Sequence, residues 1–292
     1  MVLLTYTTLI ILSGVTLLGF TAGIMGTFAF LRQESLLGDA ISHAALPGIA
    51  LMFLATYTKH PLVLLSGGAL AGFVGVACLY AGQTYTILKK DALLGIVLSV
   101  FFGFGLVLLT VIQKIPIARQ SMLNKFLFGN AATLLYSDVK LIAIVCCFVW
   151  ITLFCCFKEF ALGTCDRLFA QSLGYNVVLI DILLLCLQVI TIVIGLQTVG
   201  VILMSSMMIA PAAAARQWTK KLWRTVLLSG LIGATNAIIG TIISCSYDRV
   251  PTGPAIVVVA SCFVIVSLLF GTHRGVVYTY FMHANKVGAN ND

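Results

Sequence analysis

Charge is what this chain has least of. Its 292 residues carry seventeen Lys and Arg against nine Asp and Glu, so 9% are charged while 61% are hydrophobic. Mean hydropathy is +1.11. An ordinary soluble domain, about a quarter charged, is excluded by that balance. The short alternating segments of a transmembrane β-barrel are missing too, because the apolar runs here are unbroken and about twice as long. The nine cysteines form no C-x-x-C and no Cys/His group with zinc spacing, and they read as small core hydrophobes. No G-x-x-x-x-G-K-[ST], H-E-x-x-H or G-x-S-x-G occurs. The chain therefore has no P-loop for ATP, no zinc-protease helix and no nucleophile elbow of a serine hydrolase.

What is present is a series of apolar runs, most of them about 17–25 residues long, the length that crosses a hydrocarbon core at helical rise. They fall at roughly 5–31, 40–57, 62–84, 92–112, 139–157, 175–196, 198–215, 225–245 and 254–272. This predicts an all-α polytopic membrane protein of about nine spans in one domain, residues 1–292. The polar break at Gln197-Thr198-Val199-Gly200 is weak, so runs six and seven also read as one long helix and a re-entrant piece, which leaves eight spans. The first run has no basic stretch before it and no small-residue cleavage pattern after it, so it reads as a transmembrane helix rather than a signal peptide. The net charge of +8 sits in the breaks and encodes topology rather than nucleic-acid binding. With the amino terminus outside, eleven of the seventeen basic residues face the cytoplasm, among them Arg32, Lys89, Lys90, Lys158, Arg167, Arg216, Arg274 and Lys286. Lys59, Lys114, Arg119, Lys125, Lys140 and Arg249 fall outside. The bias has the sign the positive-inside rule requires. Small residues inside the runs, Gly19, Gly23, Gly67, Gly72, Gly230 and Gly233 among them, predict close helix packing.

One phrase stands apart: Gly38-Asp39-Ala40-Ile41-Ser42-His43-Ala44-Ala45-Leu46-Pro47-Gly48. Asp39 and His43 lie four residues apart and share a helix face. An ionised group at the centre of a membrane helix costs roughly 3 kcal/mol on insertion scales, and a carboxylate with an imidazole suits a first-row divalent cation. Two plainer readings compete, with Asp39 as an N-cap and His43 as its hydrogen-bond partner. Pro47-Gly48 is expected to interrupt the helix one turn later. One Asp and one His are too few ligands for a selective site, and two copies about a two-fold axis would double them, so the ligand arithmetic favours a dimer.

Other polar residues in the runs have bland readings. Asp181 is expected to act as a clamp between helices or a snorkelling acid, with Gln188 on its face, and Asn236 as an interhelical hydrogen-bond donor. Met204, Met207 and Met208 are expected to pack. His60, His273 and His283 lie in loops or the tail. The segment Arg216-Gln217-Trp218-Thr219-Lys220-Lys221-Leu222-Trp223-Arg224 is either an interfacial anchor of Trp and cations or a docking helix for a cytoplasmic partner. The same choice applies to the stretch from Phe157 to Tyr175.

Four stretches together resemble the transmembrane permease subunits of the metal-ion ABC importers, which move manganese, zinc or iron. They are Leu36 to Gly48; Asp91-Ala92-Leu93-Leu94-Gly95-Ile96; Val199 to Arg216, with Ala210-Pro211-Ala212 near its end; and Pro251-Thr252-Gly253-Pro254-Ala255-Ile256-Val257. Leu127-Phe128-Gly129 and Ala170-Gln171-Ser172-Leu173-Gly174 fit more weakly. The resemblance implies a fold similar to the cobalamin-type importer permeases, in the bacterial inner membrane. It implies a transport subunit rather than an enzyme, with a second permease copy or paralogue, a separate cytoplasmic ATP-binding subunit and an extracytoplasmic metal-binding protein. It places Asp39 and His43 on the ion path, with no permanently bound cofactor. It makes Arg216, Trp218, Lys220, Lys221, Trp223 and Arg224 the coupling segment that meets the ATPase. Alternatives are a proton-coupled secondary metal transporter with Asp39, His43 and Asp181 as a relay, a metal-chelate permease of the same superfamily, and a membrane scaffold without transport.

Overall fold

The structure, a computed structural model, describes residues 6–58, 60–114, 134–247, 250–272 and 275, without the side chain of residue 202. Among these residues every regular element is a helix: α1 (Tyr6–Leu31), α2 (Leu37–Thr56), α3 (Pro61–Tyr85), α4 (Lys90–Gln113), α5 (Tyr136–Cys155), α6 (Phe157–Cys165), α7 (Arg167–Ser172), α8 (Val177–Thr198), α9 (Val201–Trp218), α10 (Leu222–Ser246) and α11 (Thr252–Phe270). Lys59, Arg119, Lys125, Leu127-Phe128-Gly129, Arg249, His273, Arg274, His283 and Lys286 lie outside the described residues. Eight helices are long and apolar enough to cross a membrane, namely all but α6, α7 and α9. The chain is a multi-pass membrane protein, and the lower of the two span counts holds.

The difference lies at the seventh apolar run, which becomes α9. Helix α8 ends at Thr198, and Gly200 follows with φ 87° and ψ 168°, a conformation open to glycine and strained for other residues. Met208 then packs its carbonyl against Gly26 of α1, and Ser205 lies against Gly38 at the start of α2. Gly26 is five residues from the end of α1, and Gly200 is eight residues from Met208. At 1.5 Å per residue, Gly200 is at most about 20 Å above the inner end of α1, short of a full crossing. Helix α9 therefore starts at membrane depth and descends. Irregular backbone is tolerated there because protein covers it: Thr198 and Val199 are 1% exposed and Val201 is fully buried.

Close approach of small residues sets the packing, as the glycine pattern predicts. Helix α1 lies along α10. A Cβ on Gly19 would sit 2.7 Å from the Gly233 carbonyl oxygen, and Ser229 Oγ donates to the Gly23 carbonyl at 2.6 Å. Helices α2 and α3 meet at Gly48 and Gly67 in the same way. Met204, Met207 and Met208 are buried in the core, as expected. Trp150 on α5 donates from Nε1 to Thr21 Oγ1 at 3.0 Å and stands edge-on to Phe20. Asn236 departs from expectation: it is buried, but neither atom of its amide has a hydrogen-bond partner among the described residues.

Helices α6 and α7 sit at the end of the bundle where α1 finishes and α8 begins. Phe160 of α6 packs edge-on against Phe28. Asp166 Oδ1 caps α7 by accepting from the Phe169 amide at 3.0 Å, and Asn176 Oδ1 caps α8 by accepting from the Leu179 amide at 3.2 Å. Arg32, Lys90 and Arg167, all expected on the cytoplasmic side, gather at this end. Arg32 Nη1 meets Asp181 Oδ1 at 2.8 Å, Arg167 Nη2 meets Asp181 Oδ2 at 2.7 Å, and Lys90 Nζ meets Glu34 Oε1 at 2.9 Å. Asp181 is thus a clamp between helices.

Candidate functional site

The connection from α1 to α2 is tight. Gln33 takes φ 60°, and the Glu34 amide donates to the Ala29 carbonyl at 2.9 Å. Because of this turn, α2 begins at Leu37, three residues before the apolar run does, and its N-cap is Leu36. Asp39 therefore lies inside the first turn and is not the cap, which corrects one plain reading. Its charge there is favoured by the helix dipole. The second plain reading also fails. No hydrogen bond joins Asp39 to His43, and His43 Nδ1 is buried without a partner among the described residues. What holds the imidazole is Phe102 of α4, whose ring centroid lies 4.5 Å away, edge to face.

Pro47 corrects a third expectation, because the helix runs through it without interruption from Leu37 to Thr56. Packing explains this. A Cβ on Gly105 of α4 would fall 3.3 Å from Pro47 N and 3.2 Å from Leu46 Cβ, so α4 lies flush against the proline. Proline has no N–H, and the carbonyl four residues earlier loses its helical donor. That carbonyl belongs to His43. The phrase His43-Ala44-Ala45-Leu46-Pro47 thus frees a backbone oxygen on the residue that carries the imidazole.

Asp39 and His43 are half-buried, whereas Ser42 is fully buried with its hydroxyl unpartnered. Ser42 points into the bundle and does not join the pair, and Ser35 is exposed in the preceding turn. Followed at four-residue steps, the face of α2 that bears Asp39 and His43 continues through Pro47 to Leu51, which is 48% exposed. Pro47 and Leu51 line an apolar groove with Leu70 of α3 and Phe101 and Phe104 of α4. Pro47 is nevertheless buried beneath α4, and His43 lies against Phe102 of the same helix, so α4 flanks this face and leaves Asp39 and His43 half-buried beside the groove. Among the described residues no group of three or more His, Cys, Asp or Glu stands together, so the chain alone supplies an incomplete ligand set.

The coupling candidates follow α9. Arg216 Nη1 donates to the carbonyls of Thr219 at 3.4 Å and Lys220 at 3.1 Å. Trp218 Nε1 donates to Ser267 Oγ of α11 at 2.8 Å. Trp223 and Arg224 stack, with 5.5 Å from the guanidinium carbon to the ring centroid. Lys220, Lys221, Trp223 and Arg224 are exposed. The structure does not bring this segment to Asp39 and His43 directly. Phe102 and the freed His43 carbonyl are the features of the site that residue types alone did not reveal. The proline at the fourth position after His43 was the readable signal for the carbonyl.

The sequence matches the ABC 3 transport family over residues 5–271. The chain belongs to that family. This ABC 3 protein is 43% identical over 273 residues to the zinc transport system membrane protein TroC of Treponema pallidum, across 94% of this chain and 92% of TroC. It is also 43% identical over 265 residues to the manganese transport system membrane protein MntC of Bacillus subtilis, across 91% of this chain and 61% of that longer protein. Among solved structures it superposes on PsaBC from Streptococcus pneumoniae, determined in complex with Fab, with TM-score 0.82 and 28% identity over 96% of both chains. A metal-chelate type ABC transporter in an inward-facing conformation has the same fold, with TM-score 0.72 at 14% identity over 90% and 87% of the two chains. The chain is thus a transport permease subunit of the ABC 3 family, not an enzyme.

Proposed function

We propose that residues 1–292 form one permease domain of an ATP-driven importer of divalent transition-metal ions (manganese, zinc or iron), and that two such permeases, identical or paralogous, enclose the path. Asp39 and His43 of each are the ligands that the ion meets. The ion passes through as cargo and is not a resident cofactor. A separate ATP-binding subunit docks on Arg216, Trp218, Lys220, Lys221, Trp223 and Arg224, and an extracytoplasmic metal-binding protein delivers the ion from the other side.

One observation carries this reading. A carboxylate and an imidazole stand one turn apart in the first two turns of the apolar span α2, half-buried and without a hydrogen-bond partner among the described residues of their own chain. Facing hydrocarbon, such a pair is unfavourable by several kcal/mol. Facing a water-filled path shared with a second permease, it is solvated and doubles to two carboxylates and two imidazoles. That set suits a hard-to-borderline divalent ion, and the freed His43 carbonyl adds an oxygen. Such a site conducts when it holds the ion firmly enough to admit it and weakly enough to release it. ATP then supplies the difference in affinity between the two states of the gate.

The test is metal uptake into vesicles containing the complex of this chain with its ATPase and binding protein. Asp39→Ala and His43→Ala are expected to abolish uptake while the complex still assembles. Normal uptake by both variants would refute the assignment. Dependence on a proton gradient in place of ATP would favour the secondary-transporter alternative.

A further inference from the structure

Helix α9 touches α2 at the residue before Asp39. A Cβ on Gly38 would lie 3.2 Å from Ser205 Cα, 3.4 Å from Ser205 Cβ and 3.8 Å from Met208 Sδ. Only the hydrogens of Gly38 keep the two backbones apart. On its other side, α9 presses the Met208 carbonyl against Gly26 of α1, where no Cβ fits. The helix is therefore held between two glycines, one of which adjoins the proposed metal ligand.

The two ends of α9 differ. Its outer end leaves Gly200, whose backbone conformation belongs to glycine, and no side chain caps the helix there. Its inner end is knotted into the segment that follows. Arg216 holds the carbonyls of Thr219 and Lys220, the Thr219 and Thr225 hydroxyls meet at 2.9 Å, and Trp218 is bonded to α11. A push on residues 216–224 therefore moves α9 with it, and the buried break at Gly200, where α9 parts from α8, is the joint about which it can turn. Trp218 lies roughly 27 Å from that joint along the helix, and Ser205 roughly 7 Å. A swing of about 10° displaces the coupling end by about 5 Å and Ser205 by about 1 Å. Metal–ligand distances tolerate only about 0.2 Å, so a shift of that size at Gly38 is enough to open or close a site built on Asp39.

We propose that Ser205 is a positioning residue for the metal site: α9 turns about Gly200 and passes the displacement of the coupling segment, through Gly38, to the Asp39 carboxylate. This rests on the assignment of Asp39 as a ligand and of residues 216–224 as the docking segment, and it goes beyond that assignment by naming the contact that connects the two.

The contact can be locked. The Cβ separation of 3.4 Å between positions 38 and 205 is close to the 3.5–4.5 Å that a disulfide spans. The experiment uses the complete complex carrying G38C and S205C together, with wild type and each single variant treated identically as controls for the nine native cysteines. Relative to the same complex kept reduced, mild oxidation is expected to cross-link the double variant in the resting state and to reduce its manganese or zinc uptake at least tenfold, while each single variant transports equally well oxidised and reduced. A thiol reductant is expected to restore uptake, which a merely structural defect would not allow. Cross-linking yield provides a second measurement that needs no uptake, and it is expected to fall several-fold when the ATPase is trapped with vanadate and ATP. Full uptake by the oxidised, cross-linked complex would overturn the proposal. A yield indifferent to the nucleotide state, or no cross-link at rest, would overturn it equally. If Asp39→Ala transports normally, the functional assignment itself fails. If Asp39→Ala is inactive while the cross-link is harmless, only the lever fails.

Discussion

Two polar clusters are built from the same kinds of residue, and they have opposite characters. At the inner end, Asp181 gives one oxygen to Arg32 and the other to Arg167, and Arg32 Nε also donates to Thr164 Oγ1 at 3.2 Å. The carboxylate is satisfied on both sides by its own chain, so it ties α1, α7 and α8 together. Two-thirds of a helix turn into α2, Asp39 has a neighbouring imidazole and no hydrogen bond. The carboxylate that its own chain satisfies is structural, whereas the half-buried one left unpaired beside an imidazole is the one we propose to be held for a ligand outside the chain.

The sharpest way to break this contrast is to remove one member of each cluster. Asp39→Ala or His43→Ala is expected to reduce metal uptake by two orders of magnitude or more, with expression and melting temperature in detergent unchanged. Asp181→Leu is expected to do the reverse. It strands Arg32, whose side chain is 10% exposed, and the loss of one partner from a buried pair destabilises by about 3–5 kcal/mol. A lower melting temperature and poor expression would register this, and Arg32→Leu added to Asp181→Leu is expected to recover most of the loss. If Asp181→Leu were stable and transport-dead, the two clusters would have to exchange roles.

Smaller effects sharpen the comparison. Pro47→Ala returns a donor to the His43 carbonyl and takes an oxygen from the site. Uptake is expected to fall several-fold, more for manganese than for zinc, because the harder ion depends more on oxygen ligands. Competitive uptake of the two ions measures it. Lys90→Ala is expected to change stability by less than about 1 kcal/mol, since the lysine is 43% exposed and such pairs are weak. A thermal melt checks that.

The span architecture was legible because an unbroken apolar run of about 20 residues matches the thickness of the hydrocarbon core, and eight of the nine expected runs became helices long and apolar enough to cross it. Asp39 and His43 were legible because charge is so scarce that any acid in an apolar run stands out. The state of the α9 run could not be read from hydropathy, because it depends on what covers Gly200, and burial by neighbouring helices leaves no mark on the run itself. The start of α2 was misplaced for a similar reason, since the Arg32–Leu36 turn is set by backbone bonds such as Glu34 to Ala29 rather than by a capping side chain. Nor was the Arg32 partner of Asp181 readable: it lies 149 residues away in sequence, and only packing brings the two together.

The partial descent of α9 bears on how the chain is made. A segment that carries Ser205, Ser206, Pro211, Arg216 and Gln217, and that is not among the eight described helices long and apolar enough to cross a membrane, is expected to depend on its neighbours for its place in the bilayer. Its surroundings are α1 and α2, made earlier, and α10 and α11, made later. Seating α9 is therefore expected to be a late step of biogenesis, completed only after the last two spans are inserted, and chains truncated before α10 should expose it to quality-control proteases.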